Sequence, residues 1–250
     1  MASTLSLKFG NFLYKNCFPL YKTMYRAFKN KQDAEEISLL KKLIKPGDKI
    51  ADIGANIGFY ATILSEFTGE KGKVYCFEPD STNFNYLKKE TANKNNISIF
   101  NMAVSDSDSV LKVYKSKLLN VDHRTYPVNN YDSIEEVKAN SIDKLISDRI
   151  ILAPDIIKID IQGYELVAFK GMKKLLSESK DLKIVAEFWP HGFMRAGSSA
   201  IELFDFFDGL GYSIFFIGKN ESKVTKEYVI ENNKQPFEFS FNVLIKKTAK

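Results

Sequence analysis

Short apolar, β-branched runs recur along the chain at KIADIG 49–54, KVYCFEP 73–79, ISIFNMAV 97–104, PDIIKIDI 154–161, LKIVAEFWP 182–190 and YSIFFIG 212–218. Each reads as a buried strand, and most are separated by segments in which apolar positions fall every three to four residues, the period of a helix packed by one face. Helices are expected from Phe59 to Phe67, over 81–94 with Ser81 as N-cap, over 164–179 with Leu166, Phe169, Met172, Leu175 and Leu176 on one stripe, and over 199–212. The last of these carries Ile201, Phe204, Phe207 and Leu210 and stops at Gly211. A final run, FEFSFNVLIKK 237–247, alternates and has no helix after it, which predicts an antiparallel strand at or near the sheet edge. Repeated strand–helix units give an α/β fold, a doubly wound, mostly parallel sheet with helices on both faces.

Two segments break this rhythm. Residues 106–140 contain one alternating piece, VLKVYKS, and then a polar stretch with His123 and Pro127, too long for an ordinary connection. It leaves the carboxyl end of the third predicted strand, the side on which open α/β sheets bind ligands, and is expected to form a substrate-side lid. The head, residues 1–34, places Leu5, Phe9, Phe12, Leu13, Cys17, Leu20, Met24 and Phe28 at helical steps, with Pro19 expected to kink or divide the helix. The organisation is a helical extension over 1–34 followed by one domain over 35–250 with the insertion 106–140.

Charge sharpens the reading of the head. The net charge is +5, yet residues 1–31 alone hold Lys8, Lys15, Lys22, Arg26, Lys29 and Lys31 and no acid, leaving 30 basic against 31 acidic residues elsewhere. The near-neutral body argues against a nucleic-acid partner. The head is expected to pack on the domain with its lysines pointing outward, with contact to an anionic membrane or a grip on an acidic glycan carrier as the alternatives. Cys17 and Cys76 are too far apart in sequence for a metal knuckle or a redox pair. No signal-peptide pattern opens the sequence and no apolar run has the length of a membrane span, so the expected location is cytoplasmic.

Candidate chemistry gathers at the ends of the predicted strands. ADIGANIGFY 51–60 passes from strand to helix through two glycines, which let a ligand approach the backbone and face helix N–H groups. It carries Ala55-Asn56 where a pyrophosphate-binding loop needs its second glycine, so a dinucleotide is disfavoured. About 20 residues on, Glu78 ends the second strand and can accept both hydroxyls of a ribose. Ala103, Val104 and Ser105 end the third strand, where small residues can receive an adenine ring. Asp160 ends the fourth strand, where a buried carboxylate needs a cation or polar partner, and Glu165 complements the dipole of the next helix. Glu187 lies in or at the end of the fifth strand. His123 and His191, the chain's two histidines, both fall on this side and are the candidate general bases.

Taken in order, KPGDKIADIGANIGFYA, VYCFEPD, NMAVSDS, ANSIDKL and PDIIKIDIQGYELVAFKGM resemble the FkbM-type S-adenosylmethionine-dependent methyltransferases, over about Leu40 to Leu176. The resemblance implies a seven-stranded, Rossmann-like sheet with an antiparallel last strand. It also implies a cofactor site in which Asp52, Gly54, Asn56 and Gly58 line the methionine side, Glu78 holds the ribose and Asp160 faces the sulfonium, with Ala55, Phe59, Tyr60, Pro79 and Gln162 beside them. Similar sequences often carry Glu where this chain has Gln162. The implied reaction is O-methylation of a hydroxyl on a sugar, glycan or secondary metabolite, with Asp160 and one of His191 and His123 as catalytic residues. An RNA methyltransferase is one alternative, weakened because the fourth strand ends in DIQG rather than in an amine-methylation motif. A non-catalytic module binding an adenosyl ligand is the other. No metal is indicated, although Asp160 and Glu187 are compatible with magnesium.

Overall fold

The computed structural model describes residues 10–14, 16–116, 123–126, 131–218, 222–233 and 239–248. Leu5, Lys8, Phe9 and Lys15 of the head, Pro127 of the insertion, and the start of the predicted last strand at 237–238 lie outside the described residues. Seven strands form one sheet: β1 (Lys49–Ile53), β2 (Lys73–Phe77), β3 (Ile97–Phe100), β7 (Ile156–Ile159), β8 (Lys183–Phe188), β9 (Tyr212–Phe216) and β10 (Phe241–Lys247). Their order is β3-β2-β1-β7-β8-β10-β9, and β10 runs antiparallel to both of its neighbours while the other pairings are parallel. The last strand is thus inserted one place in from the edge. Burial on both faces explains why the central strands read as near-continuous apolar runs.

The helices covering the sheet are α2 (Ala34–Leu43), α3 (Phe59–Thr68) and α4 (Ser81–Glu90) from the first half, and α5 (Ile142–Ser147), α6 (Glu165–Lys170), α7 (Lys173–Glu178), α8 (Pro190–Arg195), α9 (Ala200–Gly209) and α10 (Lys226–Asn232) from the second. One core, which includes Phe77, Phe169, Phe188, Phe193 and Phe207, fills the face under α6, α7 and α9. The other, which includes Leu40, Ile50, Leu64 and Leu87, fills the face under α2, α3 and α4.

Three sequence expectations are corrected. The run 97–104 is not one strand. It leaves the main sheet at Phe100, and β4 (Ala103–Val104) pairs instead with β6 (Tyr131–Asn140), which pairs in turn with β5 (Ser109–Ser116) to make a second, three-stranded sheet. The segment 164–179 is two helices broken at Gly171, where a Cβ would stand 1.9 Å from the Ser105 carbonyl oxygen. The cap of α4 is Asp80, whose side chain accepts the Asn83 N–H at 2.7 Å, and Ser81 is already in the helix.

The head folds as helical residues 10–14 and then α1 (Phe18–Gln32), separated at Cys17, so that Pro19 occupies the first turn of α1, where its missing N–H costs nothing. Tyr14, Phe18 and Tyr21 pack on Ile57 and Tyr86, with Phe18 stacked on Tyr86, and Tyr25 meets Phe59 edge-on. Its basic residues do not all point outward. Lys22 and Arg26 both pair with Glu90, and Lys29 is largely buried against Asp33.

Candidate active site

The sheet order reverses between β1 and β7, and a crevice of about 310 Å³ opens beyond the carboxyl ends of these two strands. At its floor Gly54 turns at φ +85°, and its N–H and that of Ala55 both bond to the Phe77 carbonyl at 3.0 Å. Asn56 follows at φ +51°, a left-handed conformation that asparagine tolerates. Its N–H bonds to Glu78 Oε2 at 2.8 Å, while Glu78 Oε1 accepts the Asp80 N–H at 2.9 Å. One carboxylate therefore ties the glycine loop to the tip of β2 and still lines the crevice. Burial pushes Glu78 up to about 8, against the pull of these two amides.

A second group of charges stands between the sheet and the head. Lys158, near the end of β7 and almost fully buried, lies opposite Asp52 in register. Its Nζ is 3.6 Å from Asp160 Oδ2 and 4.5 Å from the centre of the Tyr60 ring. Burial alone would raise Asp160, but the Lys158 and Lys29 ammoniums outweigh it and hold the carboxyl below its usual range. Gln162 Nε2 also donates to Asp160 Oδ1 at 2.9 Å. From above, the Tyr60 hydroxyl donates to Asp33 at 2.8 Å, and Asn242 donates to Glu36, which burial raises. Glu187, whose β8 position pairs with Asn242 of β10, completes the wall. Burial, then the negative charges of Asp160 and Glu165, push Glu187 up to about 8.

Of the residues singled out in the sequence, Gly54, Ala55, Asn56, Phe59, Tyr60, Glu78, Pro79, Ala103, Val104, Asp160, Gln162 and His123 line this crevice. Asp52, Gly58, Ser105 and His191 do not. Asp52 is fully buried behind the loop, raised to about 6 by burial, and neither of its oxygens has a hydrogen-bond partner among the described residues. Ser105 sits behind the wall with its hydroxyl 3.2 Å from that of Tyr164. His191 lies in α8 beside Trp189. Glu165 is buried, accepts the Ile161 N–H at 2.8 Å and is raised to about 7 by burial. The insertion does reach the site. Val113, His123 and Thr125 line it, and the Tyr126 hydroxyl donates to the Gln162 carbonyl at 3.0 Å. The sequence reading missed Lys29, Asp33, Glu36, Lys158 and Asn242. Among the described residues no group of three or more His, Cys, Asp or Glu side chains is arranged to hold a metal ion, and no helix is long and apolar enough to cross a membrane.

The raised carboxyls set a pH dependence. Asp52, Glu165, Glu78 and Glu187 hold protons in the fold that the unfolded chain releases above about pH 4.5, so their contribution is complete below that pH and is lost as pH climbs through 6 to 8. Asp160, lowered, acts in the opposite sense, and only on the acid side of its ordinary range. The Tm of the ligand-free protein is therefore expected to fall by about 5 °C or more between about pH 5.5 and 8.5 in a calorimetric series. A Tm that rises over this window contradicts the proton inventory.

The family model described as "Methyltransferase FkbM domain" matches residues 52–214. A curated relative, hexuronic acid methyltransferase AglP of Haloferax volcanii, is 28% identical over 152 residues, which cover 60% of this chain and 60% of that protein's length. Among solved structures, a proposed rRNA-methylase from Clostridium thermocellum superposes with a TM-score of 0.52 at 11% identity, over 87% of this chain and 96% of that one. Precorrin-6y C5,15-methyltransferase from Geobacter metallireducens does so with a TM-score of 0.50 at 12% identity, over 87% and 89%. At such identities these two likenesses concern the fold alone.

Proposed function

Because the chain belongs to the FkbM family of S-adenosylmethionine-dependent methyltransferases, we propose that it O-methylates a hydroxyl of a sugar or glycan acceptor in the crevice beyond β1 and β7. The observation that carries this reading is the ring of carboxyl groups on that crevice, Glu78, Asp160, Glu187 and Glu36, three of which are raised by burial, so that a cation bound beside them would favour their ionised form. A cationic donor fits such a wall, and Gly54 leaves the backbone bare where the donor has to pass. The hexuronic acid named for the curated relative supports a sugar-type acceptor.

Bound there, the donor supplies a sulfonium methyl for in-line displacement by the acceptor oxygen. The chain's own residues divide the remaining work. Glu78, anchored by two amides, offers its remaining lone pairs to ribose hydroxyls, and Ala103 and Val104 form an apolar seat for the base. Asp160, kept ionised by Lys158 and Lys29, orients the cationic end of the donor. That pairing makes Asp160 a weak proton acceptor. His123 is no better placed, because its Nδ1 accepts the Ser116 N–H at 3.1 Å and the remaining ring proton then sits on Nε2, 3.8 Å from Asp80. Glu187, whose proton affinity lies near the working pH, is the better acceptor for the proton leaving the hydroxyl.

The test is transfer of a labelled methyl group from S-adenosylmethionine to a panel of uronic acids, neutral sugars and RNA. Transfer to a sugar hydroxyl is expected, with kcat/KM for the donor rising with pH through a midpoint near pH 8, and Glu187→Gln lowering kcat about a hundredfold and flattening the rise. Transfer to RNA alone would overturn the acceptor. Tight donor binding with no turnover on any acceptor would make the protein a binding module.

A further inference from the structure

Helix α1 turns the wrong kind of face to solvent. Its packed side carries Phe18, Tyr21 and Tyr25 against the body, and the flank beside it carries Leu20, Met24 and Phe28 at successive intervals of four residues, one stripe along the helix that winds toward the crevice at Phe28. These three are 48%, 47% and 59% exposed, and Phe12 in the preceding helical turn is 60% exposed. Thr23, Ala27 and Lys31 flank the stripe, also exposed, so that Lys31 is its one charge. A helix face left to water ordinarily carries several charges of both signs.

The charge around this face selects what covers it. Residues 1–31 hold six cations and no acid. Glu90 faces Lys22 and Arg26 and Asp33 answers Lys29, so two carboxylates stand against three of these cations and the head stays net basic. A second copy of this chain is a poor occupant, since a two-fold contact would set one basic head against the other. The stripe, four large side chains, is also far smaller than the interface a stable dimer needs. An apolar stripe within an acid-free basic segment matches a surface that is apolar beneath and negative on top.

We propose that the exposed face of α1, with Phe12, docks in the plane of an anionic lipid bilayer. Leu20 and Met24 enter the boundary between headgroups and acyl chains, and Lys31, exposed at the end of the stripe, meets the lipid phosphates. Phe28 belongs both to this stripe and to the lining of the crevice, so docking sets the crevice mouth at the lipid surface. The contact lies beyond the methyl-transfer reading and does not depend on it.

Co-flotation of the full chain with vesicles tests the proposal without any activity assay. Binding is expected to phosphatidylcholine vesicles that contain phosphatidylglycerol, with none to phosphatidylcholine alone and with release by salt. Leu20→Ser/Met24→Ser, both on the exposed side, should keep the wild-type circular dichroism spectrum and lower the partition coefficient about tenfold or more. The proposal is overturned if the anionic vesicles leave the wild type in solution, or if the double variant partitions as the wild type does. It is equally overturned if light scattering shows a dimer that the same two substitutions dissociate, which would assign the stripe to a second copy.

Discussion

Lys158→Ala is expected to remove about 3–5 kcal/mol of folding stability at pH 8, a large part of what a domain of this size possesses. The lysine is almost completely buried in β7, beside Asp160, opposite Asp52 and over the face of Tyr60, and these acids together with Glu36 raise its proton affinity despite its burial. Without it, carboxylates from three elements share one enclosure with Lys29 as the cation left to answer them. Uncompensated buried charge is the costliest of single-residue defects, and part of it is relieved by protonation. The sign follows from that relief. In the variant Asp160 no longer has the partner that lowers it, so the fold takes up protons as the pH falls. The deficit should then shrink at about pH 5, where the carboxyls are closest to neutral. Lys158→Met keeps most of the volume and loses the charge, and it should share the deficit. Urea unfolding of the ligand-free proteins at both pH values measures this, and a Met variant as stable as the wild type at pH 8 would show that packing, not the ammonium, holds the cluster.

The strands of the main sheet were legible because burial on both faces leaves few polar residues in them. The same feature misled at 97–104, where two short runs from different sheets are joined by Asn101 and Met102. Asn101 bonds to the carbonyls of Glu78 and Pro79, which carries the chain over the tip of β2 into the second sheet. No hydropathy pattern records such a crossing. The break at Gly171 was equally hidden. Its stripe of apolar residues continues through the glycine, and the close approach to Ser105 that demands a glycine there is a contact between segments far apart in sequence. In β6, only Val137 and Ala139 are buried among ten residues, too thin an alternation to stand out from the polar insertion.

The site divides in the same way. Gly54, Asn56, Glu78 and Asp160 could be found because each closes a strand whose apolar run is visible. Lys158 had a signal that was passed over, a lysine inside IIKI, where a central parallel strand tolerates a charge only if something in the fold answers it. Lys29, Asp33 and Glu36 had none. They come from α1, α2 and the turn between them, and which face of these helices looks onto the crevice depends on how the head packs. The Tyr14–Phe18–Tyr21 contacts with α4 and Ile57 decide that.

Gly54→Ala should abolish donor binding, raising the Kd for S-adenosylhomocysteine by about a hundredfold or more in titration calorimetry, 2.7 kcal/mol at that ratio. At φ +85° a side chain is already strained, but strain of this kind costs only about 1 kcal/mol. The larger effect is contact. A Cβ on Gly54 would stand 2.1 Å from the Asp160 carbonyl oxygen, which is backbone and has no rotamer through which to yield. The clash drives the exits of β1 and β7 apart at the point where the Asp160 N–H bonds to the Ile53 carbonyl at 3.0 Å. Asp160 and the Asn56–Glu78 tie then move away from each other, and a donor that needs both walls loses one. Gly47→Ala separates the two causes. Gly47 has φ +97° and no atom within 4 Å of an added Cβ, so this variant carries the strain without the contact and should lose about 1 kcal/mol of stability with its affinity intact. Equal affinities for the two variants would place the donor away from the β1 turn, because a ligand seated between the two strand exits cannot tolerate their separation.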